Sequence, residues 1–151
     1  MRTTVSVGQY DLRSRKVVSL RGAEGDEAIS FKNKTMNTTN EISKRPWGQF
    51  HKFHQEPGVW VKRVEVNPQC RLSLQKHQHR SEKWVIVAGT GLAVVEAREI
   101  PVKPGVVIDI PLGAVHRIGN TGEDHLVFIE VACGKRLSED DITRIQDDYA
   151  R

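Results

Sequence analysis

Between Arg45 and Ala132 the chain is cut by turn signals at short, regular intervals, and this spacing limits the fold more than any other feature. Arg45-Pro46-Trp47-Gly48 reads as a rigid turn, Glu56-Pro57-Gly58 as a second, Asn67-Pro68 as a strand stop and Gly89-Thr90 as a tight connection. The pieces between them, Gln49 to His54, Val59 to Val66, Leu72 to His79, Trp84 to Ala88 and Gly91 to Ala97, are short, and Val59 to Val66 alternates in strand fashion. Glu99 to Lys103, Val106 to Ile110, Ala114 to Gly119 and His125 to Ala132 continue the series. Many short strands at even spacing predict an all-β sandwich or barrel. The last stretch differs: Ser138 with Asp141 resembles a capping box, and Ile142, Ile145 and Tyr149 recur at helical spacing, which predicts a short C-terminal α-helix.

Chemistry concentrates in two of these segments. Gln75, His77 and His79 alternate, so on an extended strand their side chains leave from one face, and Glu82 follows closely. Two imidazoles and a carboxylate bind a divalent cation if a further ligand arrives from elsewhere in the chain. His116, placed on a second strand after the Pro111-Leu112-Gly113 turn, is that ligand.

Together these segments resemble the paired signature motifs of the cupin superfamily. His77, His79, Glu82 and Gly89 fill the first, with Glu82 one residue earlier than is usual and Arg71 where a glycine is common. Gly105, Pro111, Gly113, His116 and Asn120 meet the second, Gly-x5-Pro-x-Gly-x2-His-x3-Asn, in full. The resemblance implies a cupin double-stranded β-helix, or jelly roll, over residues 45–151. Within cupins this stretch resembles the type II phosphomannose isomerase family, through Arg45-Pro46-Trp47-Gly48, Val61-Lys62-Arg63-Val64, Leu72-Ser73-Leu74-Gln75, His79-Arg80-x-Glu82-x-Trp84, Ile129-Glu130-Val131 and the tail from Leu137 to Arg151. Two features depart from that family: Ala132-Cys133-Gly134 stands in place of Gln-Ser-Gly, and Ser138 and Ala150 stand where glycine is typical. That domain usually follows a mannose-1-phosphate guanylyltransferase; no Gly-rich nucleotide-binding loop precedes it in this sequence, so guanylyltransferase activity is not expected.

What the resemblance implies is interconversion of mannose 6-phosphate and fructose 6-phosphate, with proton movement between C1 and C2 and a metal stabilising the developing oxyanion. On that basis His77, His79, Glu82 and His116 hold the ion, zinc first, with manganese or cobalt as alternatives. Gln75 is a reserve ligand or catalytic group, and Glu82 becomes the base if its short spacing turns it from the ion. Arg80 and Arg117 are the first candidates for the phosphate, and Arg117 is also a catalytic candidate; Lys62 and Lys103 follow. Strict alternation points Arg80 and Arg117 away from their neighbouring ligands unless a bulge intervenes. Glu130 reads equally as a buried structural carboxylate or a catalytic one. The rival reading is an inactive metal-containing cupin that binds a sugar or sugar phosphate, and an iron oxygenase is chemically allowed.

Composition trims the remaining classes. Residues 1–44 hold eight Lys/Arg against five acids, and 45–151 hold fifteen against fourteen, so the net charge of +4 resides largely outside the folded part. That distribution argues against a nucleic-acid partner and for a local anionic ligand. No apolar run is long enough to span a bilayer. Cys70 and Cys133 have neither metal-type nor redox-type spacing, which predicts a reducing, cytoplasmic setting. Residues 1–44, rich in Thr, Ser, Asn, Gly and charge, read as a disordered or loosely attached extension. A start at Met36 or a targeting peptide are the alternatives. By analogy with jelly rolls of this size, a homodimer is expected.

Overall fold

The computed structural model describes residues 41–150, all of it β-sheet, turn and irregular chain. Eleven strands run in order: β1 (Glu41–Arg45), β2 (Gly48–Glu56), β3 (Val59–Val66), β4 (Leu74–Lys76), β5 (Arg80–Ala88), β6 (Gly91–Val95), β7 (Arg98–Val102), β8 (Val107–Ile110), β9 (His116–Asn120), β10 (Leu126–Gly134) and β11 (Thr143–Gln146). They form two antiparallel sheets, one ordered β1-β2-β3-β10-β5-β8 and the other β11-β4-β9-β6-β7. The sequence of short strands thus gives the expected jelly roll. Residues 1–40, most of the expected extension, lie outside the described residues, whereas residues 41–44 belong to β1.

Side chains on the two inner faces sort into layers. Trp60, Ala132, Glu82 and Ile110 face one another across the larger sheet, followed by the row Lys62, Glu130, Trp84 and Ile108. Val64, Phe128 and Ile86 form the next row. On the smaller sheet Gln75, His116 and Val95 make one row, and Ile118, Ala93 and Ile100 the next. One end of the sandwich is therefore polar, and the other is a dry core in which Val66, Ile118, Leu126 and Phe128 are fully buried. Burial of such side chains, each worth about 1.5–3 kcal/mol, drives closure of the sheets and leaves the polar end to the site.

Glycine is required at two corners. Gly89 adopts φ +77°, and a Cβ there would lie 2.5 Å from the backbone oxygen of His125, so the β5–β6 corner admits no other residue without a shift of backbone. Gly113, at φ +79°, turns the chain between β8 and β9 and donates its N–H to His77 O at 3.0 Å.

The expected C-terminal helix does not form. A single turn does, in which Asp141 N donates to Ser138 O, and beyond it the chain extends as β11 beside β4, Thr143 opposite Lys76 and Arg144 opposite Gln75. A helix of that length is marginal in water, whereas the free edge of β4 offers backbone partners to a stretch carrying β-branched Thr143 and Ile145. Tyr149, assigned to the helix stripe, packs instead against the core.

Candidate metal centre

His77, Glu82 and His116 converge at the polar end, with one potential ligand atom from each lying within 4.8 Å of the others. All three are buried. Each imidazole is fixed from behind: His77 Nδ1 donates to the carbonyl of Asp141, and His116 Nδ1 donates to Ala114 O at 2.9 Å. The other nitrogen of each ring then faces the carboxylate, His77 Nε2 at 3.1 Å and His116 Nε2 at 3.8 Å. His116 Nε2 is buried without a hydrogen-bond partner, and burial, the largest influence, lowers the ring's pKa, so its lone pair points into the cluster. Trp84 Nε1 donates to Glu82 Oε2 at 3.1 Å and Arg80 Nε to Oε1 at 2.8 Å. Burial alone would raise the Glu82 carboxyl, but its contacts with His77, His116 and Arg80 together hold it well below the usual range. An orphaned imidazole nitrogen, a second imidazole and an ionised carboxylate, all oriented by backbone or indole partners, fit a divalent cation.

The structure brings some of the sequence candidates together and leaves others apart. His79 is exposed and stands outside the cluster. The cause is local: β4 ends at Lys76, and the Asp141 carboxylate accepts the N–H groups of Gln78 and His79 at 3.0 and 3.1 Å, turning the chain and resetting its alternation. When β5 resumes at Arg80, the buried set is Arg80, Glu82, Trp84 and Ile86. Arg80, expected to point away, is therefore 3% exposed and extends into the site, with Nη2 at 3.1 Å from His77 Nε2 and Nη1 donating to Ser138 O at 2.9 Å. Arg117 does not join it. It lies on the outer side of β9, donates to Gln146 Oε1 at 3.4 Å, and has its pKa lowered by burial and then by Arg71. Lys103 is exposed and lines no part of the cavity. Gln75 does face inward, opposite His116, and accepts a hydrogen bond from Ser73 Oγ at 2.8 Å.

Beside the cluster is a cavity of about 90 Å³ whose lining includes Lys62, Gln75, Arg80, Glu82, Glu130 and Glu139. Glu130 is held by Trp60 Nε1 at 3.0 Å, and burial followed by the charge of Glu82 pushes its pKa up despite Lys62 and Arg80. Two carboxylates thus share one chamber with their pKa values driven apart, the arrangement that separates an ionised ligand from a proton-carrying group. Lys62 is 4% exposed in that wall, so a phosphate candidate placed behind Arg117 by sequence stands nearer the site than Arg117 does. Glu139 also lines this wall, and Lys52 on β2 is ion-paired to it at 3.4 Å; sequence reasoning gave neither a role in the site. The available signal for Lys52 is its in-phase position with Phe50 on β2, opposite Lys62.

The two sheets and the inward histidine–carboxylate set define a cupin. Among solved structures the chain resembles the Cnp3 cupin domain of Schizosaccharomyces pombe (TM-score 0.53, 22% identity, 57% of this chain and 64% of that one). It also resembles the capsular polysaccharide assembling protein CapF of Staphylococcus aureus (TM-score 0.63, 22% identity, 71% of this chain and 34% of that one). More specifically, residues 32–147 match the family described as mannose-6-phosphate isomerase C-terminal, and the chain belongs to that family. It is 41% identical over 107 residues to a mannose-1-phosphate guanylyltransferase of Klebsiella pneumoniae, covering 71% of this chain and 23% of the relative. It is 39% identical over 107 residues to the alginate biosynthesis protein AlgA of Pseudomonas aeruginosa, covering 71% of this chain and 22% of the relative. The chain therefore spans about a quarter of the length of these curated relatives. Among the described residues no helix is long and apolar enough to cross a membrane.

Proposed function

We propose that the chain is a metal-dependent aldose–ketose isomerase acting on mannose 6-phosphate and fructose 6-phosphate in the cytoplasm. The observation that carries this reading is the pairing of a metal-competent His77–Glu82–His116 set with a second, proton-holding carboxyl, Glu130, in one cavity. His77, His116 and Glu82 would hold a divalent cation, zinc first, and that ion would supply Lewis-acid stabilisation of negative charge developing on a substrate oxygen. Glu82, kept ionised, serves as ligand rather than base. Glu130, oriented by the Trp60 indole, carries the proton between C1 and C2: a carboxyl whose pKa is raised by burial is a stronger base when ionised and can return the proton it takes. Gln75 lines the same chamber as a donor to sugar hydroxyls, and Arg80 shields the chamber from the tail side. The homodimer belongs to the same proposal; exposed Val85, Val87 and Val107 on the outer face of the larger sheet supply an apolar surface for it.

One observation favours the rival. Arg80 already places a cation against both His77 Nε2 and Glu82 Oε1, so the site can stand without metal as a sugar-phosphate-binding module. A coupled isomerase assay on metal-stripped protein given zinc, manganese or cobalt separates the two. Metal-dependent turnover lost in His77→Ala and His116→Ala is the expected result. No turnover with any metal, while mannose 6-phosphate still raises the melting temperature, leaves the binding module.

A further inference from the structure

Lys52 and Lys62 stand directly opposite each other on the inner face of β2 and β3. Like charges at facing positions destabilise a sheet, and these two are withdrawn from water, with side chains 12% and 5% exposed. Both ammonium groups lie over Trp60, at 4.7 and 4.0 Å from the ring centroid, and Lys62 lies 4.6 Å from that of Phe50. Aromatic faces offset part of the repulsion. A single carboxylate oxygen bridges the pair: Glu139 Oε1, 2.8 Å from Lys62 and 3.4 Å from Lys52. Glu139 belongs to neither sheet. It sits on the irregular stretch between β10 and β11 at the rim of the cavity, with 36% of its side chain exposed. Burial works to raise its pKa, but Lys62, Lys52 and Arg80 outweigh burial, and Glu139 is an anion.

We propose that Lys52 and Lys62 form a binding site for a phosphoryl dianion, and that Glu139 is the chain's own stand-in, held there until the ligand displaces it. Charge selects the ligand. Lys52 and Lys62 share Glu139, Lys62 also lies 3.6 Å from Glu130 Oε1, and Arg80 is paired with Glu82 and with Asp141 Oδ2 at 3.7 Å. Displacing Glu139 frees the two facing ammonium groups of the carboxylate oxygen they share, and the two charges of a phosphate monoester dianion match that pair where the single charge of a carboxylate does not. Arg45 and Arg144 at the rim add to the attraction. Placing the substrate's phosphate here rests on the isomerase reading above; the binding of the dianion does not.

Calorimetric titration of the full chain with inorganic phosphate, mannose 6-phosphate and mannose tests the site in wild type, Glu139→Gln and Lys52→Gln/Glu139→Gln. Melting curves verify that each is folded, and Glu139→Ser repeats the test with a side chain too short to refill the site. Glu139→Gln is expected to bind phosphate and mannose 6-phosphate about tenfold tighter than wild type, with no gain for mannose and the gain abolished by Lys52→Gln. A gain for phosphate alone assigns the site to the free ion; a gain for both extends it to the ester. Equal affinities in wild type and both Glu139 variants overturn the proposal, as does a gain that survives Lys52→Gln. Turnover is scored separately: a phosphate gain without isomerase activity keeps the anion site and removes the isomerase reading. Activity without any gain does the reverse.

Discussion

Arg80→Met tests whether the chain's internal cation competes with a divalent ion offered to His77, Glu82 and His116. The guanidinium donates to Glu82 Oε1 at 2.8 Å and to Ser138 O at 2.9 Å, reaches His77 Nε2 at 3.1 Å, and is 3% exposed. Methionine keeps much of the volume and removes the charge, leaving a buried ionised carboxylate without its nearest partner. Breaking a buried pair in this way costs about 3–5 kcal/mol. In a domain of roughly 110 residues each kcal/mol moves Tm by about 4 °C, so metal-free Arg80→Met should melt about 12–20 °C below wild type. A divalent cation restores positive charge beside Glu82 and no longer contends with Arg80 for His77 Nε2. Saturating zinc should therefore raise the Tm of Arg80→Met more than that of wild type, and competition with a chromogenic chelator should show about tenfold tighter zinc binding, or about 1.4 kcal/mol. A metal-free loss below about 5 °C, with m-values unchanged, refutes the burial argument. Equal zinc responses in the two proteins refute the competition between Arg80 and the ion.

Glu130→Gln replaces a carboxyl whose pKa is pushed up by burial with an isostere that does not titrate. Because the folded pKa is raised, the stabilising contribution of Glu130 is full below its unfolded value, about 4.3, and is lost as pH rises through the folded pKa. Tm measured from pH 4 to 8 should thus be flatter for Glu130→Gln than for wild type; parallel curves count against the assignment. The same variant should lose turnover while keeping the zinc-induced rise in Tm. His116→Ala removes the orphaned nitrogen and should abolish that rise, read by calorimetry with and without chelator. Gly89→Ala combines φ +77° with a Cβ 2.5 Å from His125 O and should cost about 3 kcal/mol or more in urea denaturation, with a loss under about 1 kcal/mol showing that the corner yields.

The fold was legible because its punctuation is local. Asn67-Pro68, Gly89 and Pro111-x-Gly113 each act on adjacent residues, so a reader of the sequence needs no tertiary information to place the strands they separate. His116 and Glu82 were legible for a related reason: each lies within a strand whose alternation runs unbroken through it. His79 and Arg80 were exchanged because alternation was carried across residues 77–79, where an aspartate more than sixty residues further along captures the backbone. The tail failed in the same way. Ile142, Ile145 and Tyr149 fit a helical period, but the open edge of β4, a long-range feature, decided the conformation. Lys52 belongs to no motif and Glu139 only to the tail stretch that carries the family resemblance, and their meeting appears only when the register brings two lysines face to face.

Asp141 ties the site to a distant part of the chain. Its carbonyl orients His77 and its carboxylate bends the chain behind His77, yet it is joined to that ring across 64 residues of sequence. A local opening of the stretch from Ser138 to Asp141 would release the ring and the bend together, so the alignment of His77 is only as durable as that irregular stretch.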